Sequence, residues 1–107
     1  MVAPLRPMVV KDRVGRTRYM VFEIDPGGFS RRDFIRALNQ ASDVIGLRPS
    51  PRLTVFDGRM GILKLTHTDQ DDVRELLPNI SEIAGMKVKI RSVRTSGTLR
   101  KAKEYLD

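Results

Sequence analysis

The segment Arg18-Tyr19-Met20-Val21-Phe22-Glu23-Ile24 constrains the fold more than any other stretch of the chain. It is dense in strand-forming residues. Strand alternation places Met20, Phe22 and Ile24 on one face and Tyr19, Val21 and Glu23 on the other. Both faces are largely apolar, which fits a central strand rather than an edge. The segment stops at Asp25-Pro26-Gly27-Gly28, a turn signal.

The rest of the chain alternates between helix-type and strand-type patterning. Ser30-Arg31-Arg32-Asp33 has the form of a capping box with Asp in place of Glu. Phe34, Ile35, Leu38, Ala41, Val44 and Ile45 then recur at helical spacing, and Gly46 can close the helix. A proline-containing loop (47–51) leads to a second strand (52–56), a hairpin connection (57–61) and a third strand (62–67). Thr68-Asp69-Gln70-Asp71 repeats the capping pattern, and Val73, Leu76, Leu77, Ile80 and Ile83 carry a second helical stripe towards Gly85. Pro78 interrupts that stripe, so a break or kink is expected near Leu77. Residues 86–93 read as a fourth strand. Leu99, Ala102 and Leu106 form a narrow stripe on a last helix, too short to stand without packing on something.

The order β-α-β-β-α-β-α predicts an α+β fold. It is the ferredoxin-like, RRM-like antiparallel sheet in the order 4-1-3-2, with both main helices on one face and an additional C-terminal helix. Residues 1–16, with Arg6, Lys11, Arg13 and Arg16, read as a basic arm. Residues 17–107 read as one α+β domain that binds RNA or protein.

Twenty Lys and Arg against 13 Asp and Glu give a net charge of +7, which favours a polyanionic partner. Cysteine is absent, so there is no disulfide framework, thiolate metal site or cysteine nucleophile. No apolar run approaches the ~18 residues that span a bilayer, and the first seven residues lack an apolar signal core. The expected location is cytoplasmic, with no membrane partner.

The residue types that carry catalysis are sparse. His67 is the only histidine; it is read late in the third strand, without a second imidazole for a metal or a triad. Asp69, Asp71 and Asp72 suit a helix start, where acids complement the dipole. Glu23 and Asp25 share a strand face, but no histidine, nucleophile or glycine-rich loop accompanies them, and a pair between Glu23 and Lys64 across the sheet is an equal alternative. No residue is assigned as catalytic or metal-ligating, and no cofactor is expected on the chain itself.

Binding chemistry is concentrated towards the C-terminus. Lys87, Lys89 and Arg91 alternate with Met86, Val88 and Ile90, which puts three cations on one face of an expected edge strand. Lysines there also discourage strand-to-strand association. The strip runs into Arg94 and then into Ser96-Gly97-Thr98, a helix-start signature, followed by Arg100, Lys101 and Lys103. Ser96 and Thr98 carry capping hydroxyls, and Gly97 lacks a Cβ, so a ligand or another backbone can come close. The same signature also serves as an ordinary helix cap. Arg13, Arg16 and Arg18 add charge at the other end. Tyr19 lies on the first strand and the third strand has no aromatic residue, so contacts to backbone and shape are expected rather than stacked bases. Two other readings stay open on this evidence: a ferredoxin-like regulatory module that binds a small ligand, and a structural or ribosomal RNA-binding protein.

Three segments carry a resemblance: Arg18-Tyr19-Met20-Val21-Phe22-Glu23-Ile24, Gly61-Ile62-Leu63-Lys64-Leu65, and Val93-Arg94-Thr95-Ser96-Gly97-Thr98-Leu99-Arg100-Lys101-Ala102. Together they resemble the ribonuclease P protein component 2 family, small archaeal subunits with relatives in eukaryotic ribonuclease P and its sister RNA-processing complex. A paralogous subunit shares the fold and part of the motif. The resemblance implies a subunit of the endoribonuclease that removes the 5′ leader of precursor tRNA. The RNA subunit is then the catalyst, with magnesium on the RNA, and the chain is part of an enzyme without being catalytic itself. It further implies binding to ribonuclease P RNA together with component 3, a barrel-type subunit, in a dimer or heterotetramer, with precursor tRNA reached indirectly. Lys87, Lys89, Arg91, Arg94, Arg100, Lys101 and Lys103 would then neutralise phosphates, while Ser96, Gly97 and Thr98 would meet one phosphate. The protein partner would take the sheet face around Tyr19, Val21 and Ile62 unless the last helix folds over it, the first helix, or the hairpin around 58–61.

Overall fold

A computed structural model describes residues 16–106. The basic-arm expectation, Arg13 included, lies almost wholly outside the described residues. Four strands, β1 (Thr17–Asp25), β2 (Arg52–Phe56), β3 (Met60–Thr66) and β6 (Lys89–Ser96), form one antiparallel sheet in the spatial order β2-β3-β1-β6. With β6 as the fourth long strand, this is the expected 4-1-3-2 arrangement. Helices α1 (Arg31–Ile45) and α2 (Gln70–Asn79) cover one face, and a short helix α3 (Leu99–Lys103) lies on the other.

The main core grows from the alternation in β1. Met20, Phe22 and Ile24 point towards α1 and α2 and are fully buried with Phe34, Leu38, Val73 and Leu77. Three aromatic rings stack at its centre: Phe22 on Phe34 at 4.7 Å, Phe34 on Phe56 at 5.3 Å, and Phe22 on Phe56 at 6.3 Å between centroids. The stack joins β1, α1 and β2. Gly61 of β3 lies against the edge of the Phe22 ring. A Cβ there would fall 2.6 Å from Phe22 Cζ and 2.8 Å from the Val55 carbonyl oxygen, closer than carbon atoms pack.

The helix ends follow local chemistry, with three departures from the expected pattern. Ser30 caps α1 by accepting the Asp33 N–H at 3.1 Å, and Gly46 closes it at φ 74°. Val44 and Ile45, however, are 85% and 51% exposed, and Ser42 takes the buried place on that turn. The apolar stripe of α1 therefore runs past the edge of the surface it packs against. The second capping box does not form. Residues His67–Asp69 make a 3₁₀ turn, and Thr66 Oγ1 donates to Asp69 Oδ2 at 3.2 Å, leaving α2 to begin at Gln70 without a side-chain cap. His67 thus lies just beyond β3 rather than in it, where its Nδ1 accepts the Arg16 N–H at 3.1 Å.

The third departure follows Pro78. Helix α2 ends one residue after it, because proline has no N–H to continue the ladder and crowds the preceding turn. Ile80 and Ile83 still reach the core, but from non-helical backbone. Ile83 belongs to a small hairpin of β4 (Glu82–Ile83) and β5 (Met86–Lys87), turned by Ala84 and Gly85 at φ 52° and 82°. The fourth strand of the sequence reading is thus two strands, β5 and β6, with Val88 between them.

Two substitutions test this packing. Gly61→Ala forces a methyl group into the Phe22 ring, and chemical denaturation should show a loss of about 1–3 kcal/mol, the usual range for overpacking. Ser42→Ala should be neutral or stabilising by up to about 1 kcal/mol, because the buried Ser42 hydroxyl has no partner among the described residues.

Candidate nucleic-acid interface

The face of the sheet opposite α1 and α2 divides into two halves. One half is apolar: Val21 and Ile62 are fully buried under Ala102 of α3, with Tyr19, Val55, Met60, Leu99 and Leu106 packed around them. The C-terminal helix therefore occupies the sheet face offered above for a protein partner. Tyr19 is held in this small core.

The other half is ionic and centres on Glu23. Its carboxylate accepts from Arg91 through Nε at 3.0 Å and Nη2 at 2.8 Å, and from Arg59 Nη2 at 3.1 Å. Glu23 is only 18% exposed at its side chain, whereas the two arginines are 72% and 68% exposed. The hydrogen bond from Arg91 is the largest cause of a Glu23 pKa held below the usual carboxylate range, with partial burial opposing it. The alternative of a Glu23–Lys64 pair is closed by register. Glu23 stands opposite Met60 and Arg91, while Lys64 stands opposite Tyr19.

Register also changes the meaning of the cationic strip. Lys87, Lys89 and Arg91 are all exposed, with Val88 and Ile90 buried between them, as alternation requires. Each stands directly across from an acid, however: Lys87 from Glu82, Lys89 from Asp25, and Arg91 from Glu23. The strip is a ladder of facing opposite charges rather than a bare row of cations. Beyond it, a bulge in β6 opposite the Val21–Phe22 step leaves Val93 without a partner in β1 and sets Arg94 opposite Val21. Arg94 therefore shares the α3 face with Arg91, although strict alternation would put it on the reverse. Its guanidinium lies 5.0 Å above the Tyr105 ring, a cation–π contact.

The Ser96-Gly97-Thr98 corner is a built helix start. Thr98 caps α3 by accepting the Lys101 N–H at 3.2 Å, and Ser96 Oγ accepts the Thr98 N–H at 3.3 Å. Both hydroxyls retain acceptor and donor capacity but are engaged locally. A methyl at Gly97 would meet only the Arg18 guanidinium, at 3.7 Å, an ordinary contact. The fold does not itself require glycine there. Arg18 thus joins this corner, and Arg100, Lys101 and Lys103 project exposed from α3. Arg16 lies just before β1 at the same end of the sheet, its backbone pairing with His67 on the β3 side.

Arg59 is the residue that the sequence reading missed. It lies in the β2–β3 hairpin, 36 positions from Glu23. Asp57 Oδ1 accepts the N–H groups of Arg59 at 2.9 Å and Met60 at 2.7 Å, and those bonds, Met60 first, lower the Asp57 pKa. Ile24 donates to the Arg59 carbonyl at 2.7 Å. The available signal was the hairpin itself: a tight turn between β2 and β3, with β3 paired to β1, places its tip beside the Glu23 end of β1. An open cleft of about 740 Å³ runs here, lined by Glu23, Asp25, Arg59, Lys89 and Arg91 together with Pro78.

Comparison with known proteins adds two findings. The model of the Rpp14/Pop5 family, a family of ribonuclease P proteins, matches residues 18–107. No match was found among curated proteins. Among solved structures, a chain in the cryo-EM structure of yeast ribonuclease MRP is similar in fold, with a TM-score of 0.64 and 15% identity over 85% of this chain and 86% of that one.

The Glu23 cluster has a pH signature. Because its folded-state pKa is lowered, Glu23 contributes stability above its ordinary value of 4.5, and that contribution is lost as pH falls through the lowered value. Urea denaturation between roughly pH 3 and 6 should show stability falling towards acid, and Glu23→Gln should flatten that dependence.

Proposed function

The chain belongs to the Rpp14/Pop5 family of ribonuclease P proteins, and on that premise we propose how it serves the ribonucleoprotein. It is an RNA-binding subunit that supports a catalytic RNA in removing the 5′ leader of precursor tRNA, and it supplies no catalytic group itself. The observation that supports this reading most is the family match, which extends from β1 through α3 and so includes the basic corner. Magnesium on the RNA performs the hydrolysis in this reading, and the chain acts with component 3 as its protein partner. Binding works through charge. Cations along the α3 side neutralise phosphates and release condensed counterions, which lowers the repulsion between RNA segments that the active fold brings together.

The acid-facing ladder ranks those cations. Lys87 and Lys89 each have a carboxylate across from them in the strand register, although neither forms an ion pair with it, while Arg100, Lys101 and Lys103 stand on a helix with no acid set opposite them by a strand register and no ion pair among the described residues. The α3 side is thus the stronger phosphate-binding surface, and Ser96, Gly97 and Thr98 flank it where one phosphate can approach.

The test is reconstitution of precursor-tRNA cleavage at limiting magnesium, with a matched ribonuclease P RNA and component 3. Adding this chain should raise the rate of leader removal. A complete, folded mixture that is indifferent to the chain overturns the reading. Replacing Arg100, Lys101 and Lys103 with alanine should weaken RNA binding and reduce its salt slope by up to about three, more than replacing Lys87 and Lys89 does.

A further inference from the structure

We infer that Arg59 and Arg91, held as a pair by Glu23, form a seat for one phosphodiester group of the bound RNA. The inference rests on the RNA-binding reading above and adds to it a residue, Arg59, and a role for a half-buried acid. Three observations carry it.

The first is preorganisation. Most exposed arginines sample many rotamers and lose that freedom on binding. Arg59 is restrained at its backbone N–H by Asp57, at its carbonyl by Ile24, and at its guanidinium by Glu23. Its stem is hemmed in as well, since a Cβ on Gly27 would fall 2.7 Å from Arg59 Cβ. Arg91 is fixed by two hydrogen bonds to a single oxygen of the same carboxylate.

The second is donor capacity. Each guanidinium carries five N–H groups in a planar fork, and Glu23 engages one from Arg59 and two from Arg91. Among the described residues no other acceptor holds the remaining donors of these two forks. Phosphate oxygens match that geometry, because they accept two parallel N–H bonds from an arginine fork. One carboxylate between two guanidinia also leaves the cluster with a net positive charge.

The third is location. The pair opens onto the cleft of about 740 Å³, with Lys89 and the Asp25 that faces it on the same lining. Arg91 lies on the α3 face of β6 with Arg94, so the cleft continues the basic corner along the exposed edge strand. A strand of RNA that meets the α3 corner meets this pair next.

The role of Glu23 gives the inference a sign opposite to that of charge alone. Removing an acid raises the net charge and, by charge alone, tightens RNA binding. If Glu23 is a positioning residue for the seat, its removal loosens both guanidinia and weakens binding.

The experiment measures affinity and salt dependence of the full chain for matched ribonuclease P RNA, with an unrelated structured RNA of equal length as control. Variants are Arg59→Gln, Arg59→Lys and Glu23→Gln, each checked for folding by circular dichroism. Arg59→Gln should weaken binding about 3- to 10-fold and lower the salt slope by about one. Arg59→Lys should weaken binding with the slope retained, since lysine keeps the charge but not the fork. Glu23→Gln should weaken binding in spite of the added charge. Wild-type affinity for Arg59→Lys, or tighter binding by a folded Glu23→Gln, overturns the seat while leaving the RNA-binding reading standing. Absence of RNA binding by the wild-type chain overturns both.

Discussion

The stack of Phe22, Phe34 and Phe56 is the contact on which the rest of the fold depends. Offset aromatic stacking adds to the area these rings bury, and one ring comes from each of β1, α1 and β2. These elements lie in three separate parts of the chain, so the stack fixes their relative positions at a single point. Gly61 supplies the fourth side by having no side chain. Once β3 is pressed against Phe22, the antiparallel register that sets Met60 opposite Glu23 is fixed as well. The hairpin tip with Arg59 then falls beside the ionic half of the opposite face. Packing on one face of the sheet thus positions charge on the other.

Glu23 illustrates how a central strand accommodates a charge. β1 has neighbours on both edges and covering residues over much of both faces, so an acid within it loses water. Two guanidinia, one from the hairpin tip and one from the edge strand, replace that hydration with charge-assisted hydrogen bonds. They also tie the tip of the β2–β3 hairpin to β6 across β1. The small apolar core under α3 completes this face, and Arg94 over Tyr105 lies at the boundary between the apolar and ionic halves.

Much of this architecture was legible in the sequence because it follows from local period. The alternation in β1, the Ser30 cap and the α1 stripe through Leu38, the hairpin at Asp57 and the short capped α3 each need only a few neighbouring residues. What was illegible depends on partners distant in sequence. Ile80 and Ile83 keep helical spacing with Val73, Leu76 and Leu77, yet burial requires only that a side chain reach the core, and after Pro78 a coil and a hairpin deliver them. Val44 and Ile45 fit the helical stripe, but the surface that would cover them ends sooner. The acids facing Lys87, Lys89 and Arg91 follow from register, and the face of Arg94 follows from a one-residue bulge; alternation alone gives neither.

The same long-range features decide which surface of this fold can meet RNA. Sheets of the RRM type use aromatic residues on the central strands as stacking platforms. Here the C-terminal helix fills that position with Leu99, Ala102 and Leu106, and Tyr19 becomes part of its seat. Covering the platform moves the accessible polar surface outward to β6 and to α3 itself. These carry forks and ammonium groups rather than aromatic planes, apart from Tyr105, whose ring already faces Arg94. A surface of that kind recognises the regular spacing of phosphates on a folded RNA more readily than the identity of its bases. Such recognition suits a subunit whose RNA partner is chosen by shape, because many moderate contacts to the backbone add up only where the RNA presents its phosphates in a matching arrangement. Arg91 sharpens that requirement: its fork already binds Glu23, so a phosphate must arrive in the right geometry to reach its remaining donors.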